Sequence, residues 1–232
     1  METRKLHEWF DELIVGETLN RKTQSEEEYK EGYIKVLTPK SICEGYIDDK
    51  SIGYYSLLEN KKPIKKDKYT MLNDIVVKLT PPYTAVLIDK DHTDLLVPQF
   101  CLILRGIKEI DTKEFAAFEK NSKLKNILDI DVTDDLSFIT TFLNTRLMKE
   151  QLLVLSTSDI KSISKQIIAN LDVPVCSISG RRRINTAFNY LSNTLRITRK
   201  MLECQNEFID ALLDNVLNDE IGDELFVKKF SN

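Results

Sequence analysis

The sequence predicts an α+β protein: a globular domain of mixed or antiparallel strands with flanking helices, followed by one long helix. Three observations carry this. Short β-rich runs broken by Gly and Pro fill residues 32–106, helical spacing takes over after Asp111, and residues 181–218 contain neither Gly nor Pro. A chain of 232 residues has room for one full-sized domain with a core plus an appendage, and too little for two average domains. The boundaries expected are 1–178 for the globular domain, 179–218 for the long helix and 219–232 for an acidic, loosely attached tail.

Taken in order, residues 6–14 read as a short amphipathic helix or the start of a strand, ending near Gly16. Residues 33–37, 74–79, 84–88 and 100–104 are strand-like, and Pro39, Gly45, Gly53, Pro63, Pro81-Pro82 and Pro98 mark the connections. Residues 113–121 are helical. Residues 134–155 predict a second helix, with apolar positions at Leu136, Ile139, Phe142, Leu143, Leu147 and Leu153 and with Thr133 as its N-cap. A Ser/Thr joint at 156–158 precedes a short helix over 162–169, and residues 171–175 form a last strand.

The long helix is the clearest element. Ile184, Phe188, Leu191, Leu195, Leu202, Ile209, Leu212 and Val216 follow alternating steps of four and three, with Thr198 and Gln205 as polar exceptions. A second stripe of Ala187, Ile197, Met201, Cys204 and Phe208 widens the apolar face. At 1.5 Å per residue the helix is roughly 50 Å long, more than one domain of this size covers, so part of it calls for a partner. The alternative is a helix lying across its own domain.

Composition limits the function. A net charge of −4 makes no global invitation to nucleic acid, so any DNA affinity is local. Cys43, Cys101, Cys176 and Cys204 are scattered and only His7 and His92 could join them, so neither a metal nor any other cofactor is expected. With no signal peptide and no 18-residue apolar run, a cytoplasmic protein with free thiols and no membrane span is expected.

Few side chains suggest chemistry. Thr80-Pro81-Pro82-Tyr83 is close to the Asx-Pro-Pro-aromatic loop with which DNA amino-methyltransferases hold a flipped adenine, but Thr80 stands where the amide or carboxylate belongs. It reads as a diproline turn. His7 and His92 show no partner at a readable spacing, and Asp129, Asp131, Asp134 and Asp135 precede a helix start, where carboxylates are favoured without a metal. A non-catalytic protein is the result.

Local basic features remain. Lys61, Lys62, Lys65, Lys66 and Lys68 form a lysine loop suited to DNA phosphates, or simply a solvated loop. Lys35, Thr38, Lys40, Thr80, Tyr83, Gln99 and Arg105 are candidates for base contacts from connecting loops. Arg181-Arg182-Arg183 opens the long helix, where cations oppose the helix dipole; DNA phosphate or an acidic partner could hold them, or they have no role.

The order of these segments resembles the specificity subunit of type I restriction-modification systems. Residues 33–37 followed by Ile42-Cys43-Glu44-Gly45-Tyr46-Ile47 look like the early strand and "x-I-x-x-G-x-I" turn of its target-recognition domain. Leu72-Asn73-Asp74-Ile75-Val76-Val77 through Leu102-Ile103-Leu104-Arg105 look like the "G-D-I-L" strand and the strand ending in Arg. Residues 138–155, Ile160-Lys161-Ser162-Ile163-Ser164 and Leu171-Asp172-Val173-Pro174-Val175 follow the family's helix, joint and "L-x-V-P" strand, and the long helix begins where the spacer helix begins. Asn73 replaces the usual Gly, and Ser177-Ile178-Ser179-Gly180-Arg181 replaces the usual Pro-x-(L/E)-x-E-Q start of the spacer.

The resemblance implies double-stranded DNA as ligand, with catalysis left to a DNA adenine methyltransferase subunit and a restriction subunit. It also implies that the long helix pairs antiparallel with a second copy, so that a homodimer reads a bipartite site. The alternative is a protein-interaction or decoy module that binds the methyltransferase without reading DNA.

Overall fold

The computed structural model describes residues 2–20, 24–25, 31–56, 63–108, 132–155 and 163–230. The helix expected over 113–121 and the joint at 156–158 lie outside them. Two compact units make up the chain, Met1–Phe188 and Asn189–Asn232.

The first unit is built on a four-stranded antiparallel sheet in the order β2-β8-β6-β7, from β2 (Phe10–Val15), β6 (Ile75–Lys78), β7 (Ala85–Leu87) and β8 (Cys101–Ile107). Residues 6–14 thus resolve into a single turn at Leu6–Glu8 and strand β2. All four residues of β6 are buried because both faces of this sheet are covered. On one face Ile75, Val77, Ala85, Leu102 and Leu104 pack with the helices; on the other Val76, Val86, Cys101 and Ile103 pack with Leu37, Ile42, Ile47, Leu95 and Val97. That double covering explains strand sequences that are apolar without alternation. Each buried aliphatic side chain contributes roughly 1.5–3 kcal/mol.

The diproline segment is the turn between β6 and β7, closed by Lys78 N–H donating to Thr84 O (2.8 Å) and Tyr83 N–H to Thr80 O (2.9 Å). The "x-I-x-x-G-x-I" segment also folds as a turn: Ile42 bridges Ile47, Cys43 N–H donates to Tyr46 O, and Gly45 takes a φ of 81° that favours glycine. Asn73 has a φ of 69°. Asparagine tolerates this left-handed region better than most residues other than glycine.

The helix expected over 134–155 is in fact two, α1 (Val132–Leu143) and α2 (Arg146–Leu155). Asn144 makes the break. Its Nδ2 donates to Ala85 O (2.8 Å) and Thr140 O (2.9 Å), its Oδ1 accepts from Ala85 N–H (2.9 Å), and Thr145 Oγ1 donates to Phe142 O (2.7 Å). The apolar face shifts after it: Met148 and Leu152 are buried, whereas Leu147 and Leu153 are exposed. Since α1 begins at Val132, Thr133 is inside it and does not cap it.

Ser164 caps the short α3 (Lys165–Ala169), and the last strand, β9 (Asp172–Pro174), pairs antiparallel with β1 (Thr3–Lys5). The Gln151 amide holds β9 from α2, accepting from Asp172 N–H (2.8 Å) and donating to Asp172 O (2.9 Å). A three-stranded antiparallel sheet, β3-β5-β4, completes the unit with β3 (Gln24–Ser25), β4 (Tyr33–Val36) and β5 (Gly53–Ser56). β5 is a strand for which Gly53 reads, in sequence, as a connection.

The long helix, α4, runs Ile178–Phe230. It passes the boundary expected at 218 because the sequence offers nothing to stop it there: a lone Gly222 costs only about 1 kcal/mol. The second unit consists of this helix from Asn189 onward.

Candidate nucleic-acid interface

The small sheet continues through residues 95–99. Leu96 N–H donates to Lys35 O (3.0 Å) and Leu37 N–H to Leu96 O (3.0 Å) along one edge. Along the other, Thr70 N–H donates to Leu95 O (2.9 Å), Val97 N–H to Lys68 O (2.9 Å) and Glu17 N–H to Val97 O (2.7 Å). One ribbon thereby gathers Lys35, Lys68 and Gln99, which are far apart in sequence.

Val36, Tyr55 and Leu96 form a small core on one side of this ribbon. Strand alternation puts Tyr33 and Lys35 on the opposite side, and the register sets Tyr54 directly across from Lys35. Lys35 is exposed, and Tyr33 and Tyr54 are partly so. A lysine and two tyrosines on one face of a strand pair suit a nucleic-acid backbone and its bases. Tyr33 is signalled by the alternation Tyr33-x-Lys35, but Tyr54 is visible only once the β4–β5 register is known.

The sequence-derived candidates divide. Lys35, Lys40, Lys65, Lys66 and Gln99 are exposed; Lys61 and Lys62 lie outside the described residues. Lys68 is half-buried with Nζ donating to Val15 O (2.6 Å), and Gln99 Oε1 accepts from Thr18 Oγ1 (2.9 Å). Thr80 and Tyr83 are half-buried in the diproline turn, Tyr83 packing against the main core. Two of the candidates are engaged within the fold. Thr38 is buried, its hydroxyl donating to Ser51 O (2.6 Å) in a turn closed by Ser41, so it presents nothing to a base.

Arg105 is the second of them. Its Nε donates to Asp74 Oδ1 (2.9 Å) and its Nη2 to Asp74 Oδ2 (2.6 Å) and Tyr69 O (2.7 Å), with the Asp74 side chain 2% and the Arg105 side chain 15% exposed. The Asp74 hydrogen bond holds the guanidinium charged more firmly than usual, against its burial. The two motif residues recognised in sequence are therefore bound to each other, with a structural role.

His92 proves to have partners. Its Nδ1 lies 2.6 Å from Asp89 Oδ1 and its Nε2 lies 3.0 Å from Asp49 Oδ1, joining the turns Asp49–Ser51 and Lys90–His92. Burial lowers its pKa, but hydrogen bonds and charge from the two carboxylates outweigh burial and leave it above the usual 6.5. A raised folded-state pKa stabilises the fold fully below 6.5, and the contribution disappears as pH rises through the folded value. In an NMR titration Asp49→Asn should move the His92 pKa down; an unmoved His92 would contradict the clamp.

Two of the three arginines at the start of α4 are held by the chain's own acids. Arg181 Nη1 bonds Asp135 Oδ1, Arg182 Nε donates to Asp134 Oδ2 (2.8 Å), and Asn185 Nδ2 donates to Asp134 O (2.8 Å). Asp134 and Asp135 sit in the first turn of α1, as expected of carboxylates there. These two pairs account for Arg181 and Arg182 and for Asp134 and Asp135, while Asp129 and Asp131 lie outside the described residues. Burial lowers the pKa of Arg181, whose side chain is almost enclosed.

Farther along α4, Ile184, Leu191, Leu195, Leu202, Ile209 and Leu212 are exposed, as are Ile197, Met201 and Phe208; Phe188 is half-buried, and the Val216 side chain lies outside the described residues. Singly exposed apolar residues are ordinary, but a continuous stripe of them indicates an interaction surface. Among the described residues no helix is long and apolar enough to cross a membrane, and no group of three His, Cys, Asp or Glu side chains could hold a metal ion.

No family model matches this chain, and no curated protein matches it. Solved structures do. One comes from a study of complex assembly and conformational transition of the type I R-M system: its TM-score is 0.51 at 13% identity, over 86% of this chain and 40% of that one. Another is the HsdS subunit from Thermoanaerobacter tengcongensis, with a TM-score of 0.49 at 11% identity, over 86% of this chain and 39% of that one. This chain spans about two fifths of the length of the structures it matches. The α+β fold expected from the sequence pattern is the fold found.

Proposed function

We propose that this chain is the non-catalytic DNA-specificity subunit of a type I restriction-modification system. In this reading residues 1–178 are the target-recognition domain and the helix from 179 to 218 is the spacer, followed by an acidic tail. Lys35, Lys40, Lys65, Lys66 and Gln99 contact DNA together with Tyr33 and Tyr54. The observation that carries the reading is a fold shared with a chain of the type I R-M system, joined to the order of sequence motifs that resembles the same family. Function follows from the site and not the fold alone. The tyrosine-flanked Lys35 and the exposed lysines supply local attraction in a chain of net charge −4.

The chain positions a DNA adenine methyltransferase, and two copies joined through α4 read a bipartite site in the cytoplasm. The exposed stripe from Leu191 to Leu212 supports that pairing. Light scattering should find wild type a dimer, and Leu195→Asp and Leu202→Asp should make it a monomer, since a carboxylate in an apolar seam must be desolvated or the seam opened.

Selection from random DNA with the partner methyltransferase present tests the specificity reading: a two-part motif should be enriched. Enrichment of no motif at any salt would leave the decoy alternative in its place. Lys65→Ala with Lys66→Ala should weaken binding evenly across sequences and reduce the slope of log affinity against log salt by about 0.9 for each phosphate no longer neutralised.

A further inference from the structure

The segment that follows β2 crosses residues 95–99 at close range. Glu17 N–H donates to Val97 O (2.7 Å) and Gln99 N–H donates to Glu17 O (2.8 Å), so Glu17 and Pro98 form a parallel bridge. Gly16 N–H donates to Cys101 O (3.0 Å) just before it. Gly16 is buried, and a Cβ on it would overlap the carbonyl oxygens of Val97 and Pro98. Glycine is what lets the two segments approach, and their pairing fixes the backbone at Gln99.

The Gln99 side chain is held as well. The Thr18 hydroxyl donates to its Oε1 (2.9 Å), its Nε2 has no protein partner among the described residues, and both residues are exposed. An amide carries an acceptor oxygen and a donor nitrogen. With the oxygen turned to Thr18, the group left for a ligand is the NH2, which donates two hydrogen bonds. Glutamine is among the side chains that lose most rotamer freedom on being fixed, and the Thr18 bond removes part of that freedom before any ligand arrives. Lys68 reaches the same segment: its Nζ donates to Val15 O (2.6 Å), three residues before Thr18 and roughly 10 Å away along an extended chain. An ammonium has three hydrogens, so Lys68 can hold a phosphate in addition to that carbonyl.

We infer that Gln99 is a preorganised base-reading side chain, that Thr18 is its positioning residue, and that the pair selects guanine in the major groove. This rests on the DNA-specificity reading above and names one recognised base and the group that reads it. Guanine alone offers two neighbouring acceptors there, N7 and O6, and both can receive hydrogens from one NH2. Adenine offers N7 beside its N6 donor, so reading it with both contacts needs the amide oxygen turned toward the base as well. Thymine has a single acceptor, O4, and cytosine presents its N4 donor. The engaged oxygen separates guanine from adenine, and Thr18 is what engages it.

Selection from random DNA by the full-length chain with the partner methyltransferase tests this, with Gln99→Ala, Gln99→Glu, Thr18→Val and Thr18→Ser compared with wild type. Wild type should hold guanine at one position of the motif, favoured on the order of 10-fold or more over adenine. Gln99→Ala should accept all four bases at that position and keep the rest of the motif. Thr18→Val frees the amide oxygen and should move the preference toward adenine, whereas Thr18→Ser should keep guanine. Gln99→Glu, with acceptors only, should move it toward cytosine. Because both residues are exposed, thermal melts of the variants should match wild type, which separates a changed preference from lost folding. A motif that Gln99→Ala leaves intact would overturn the inference, as would a Gln99-dependent position that is not guanine in wild type. Thr18→Val that keeps guanine, or weakens every position alike, would remove the role of Thr18. Enrichment of no motif by wild type would remove the specificity reading itself, and this inference with it.

Discussion

Arg105→Leu is expected to destabilise the first unit by about 3–5 kcal/mol, because it leaves the buried Asp74 carboxylate without its counter-charge. Asp74 also accepts from Met71 N–H (2.8 Å), and Arg105 donates to Tyr69 O, so the pair joins the start of β6, the middle of β8 and the segment reaching residue 69. Asp74→Asn should cost less than Arg105→Leu, since an amide keeps a hydrogen bond and removes the uncompensated charge. Replacing both residues by apolar ones should recover part of the loss, because neither charge then remains to be solvated. Urea denaturation of the three variants measures these differences. Arg105→Leu with wild-type stability and lost DNA binding would return this side chain to the DNA-contacting set.

Asn144→Ala is expected to cost about 2–3 kcal/mol. The variant leaves Ala85 N–H buried without an acceptor, whereas Ala85 O retains Gly45 N–H at 3.2 Å. An orphaned buried donor costs about 1–3 kcal/mol, and the methyl group also fills less of the space between α1 and β7. Asn144→Asp should be worse above the carboxylate range, since its ionised form faces the Ala85 and Thr140 carbonyls with nothing to donate. Its stability should recover as pH falls and the acid is protonated. Thermal melts at two pH values distinguish this from simple loss of packing.

The strands 33–37, 74–79, 84–88 and 100–104 were legible because the core sets their composition, and each was found within a residue or two except β8, which runs on to Ile107. The split helix was not legible. Asn144 breaks it by bonding the backbone of β7, 59 residues away, and no local pattern encodes that partner. The same holds for His92 and Asp49, and for Tyr54 opposite Lys35. A spacing of 43 or 19 residues carries no information until turns and register bring the ends together.

By itself the sequence determined the α+β class and the long helix with its apolar repeat, both consequences of local periodicity and composition. Tertiary structure decided which polar side chains are available. Thr38 and Arg105 belong to internal hydrogen bonds, Arg181 and Arg182 are matched by Asp135 and Asp134, and Lys35 remains exposed beside two tyrosines. The physical reason is that a polar group's role depends on its nearest partner in space, whereas the tendency of an apolar repeat to be buried is already a property of the chain.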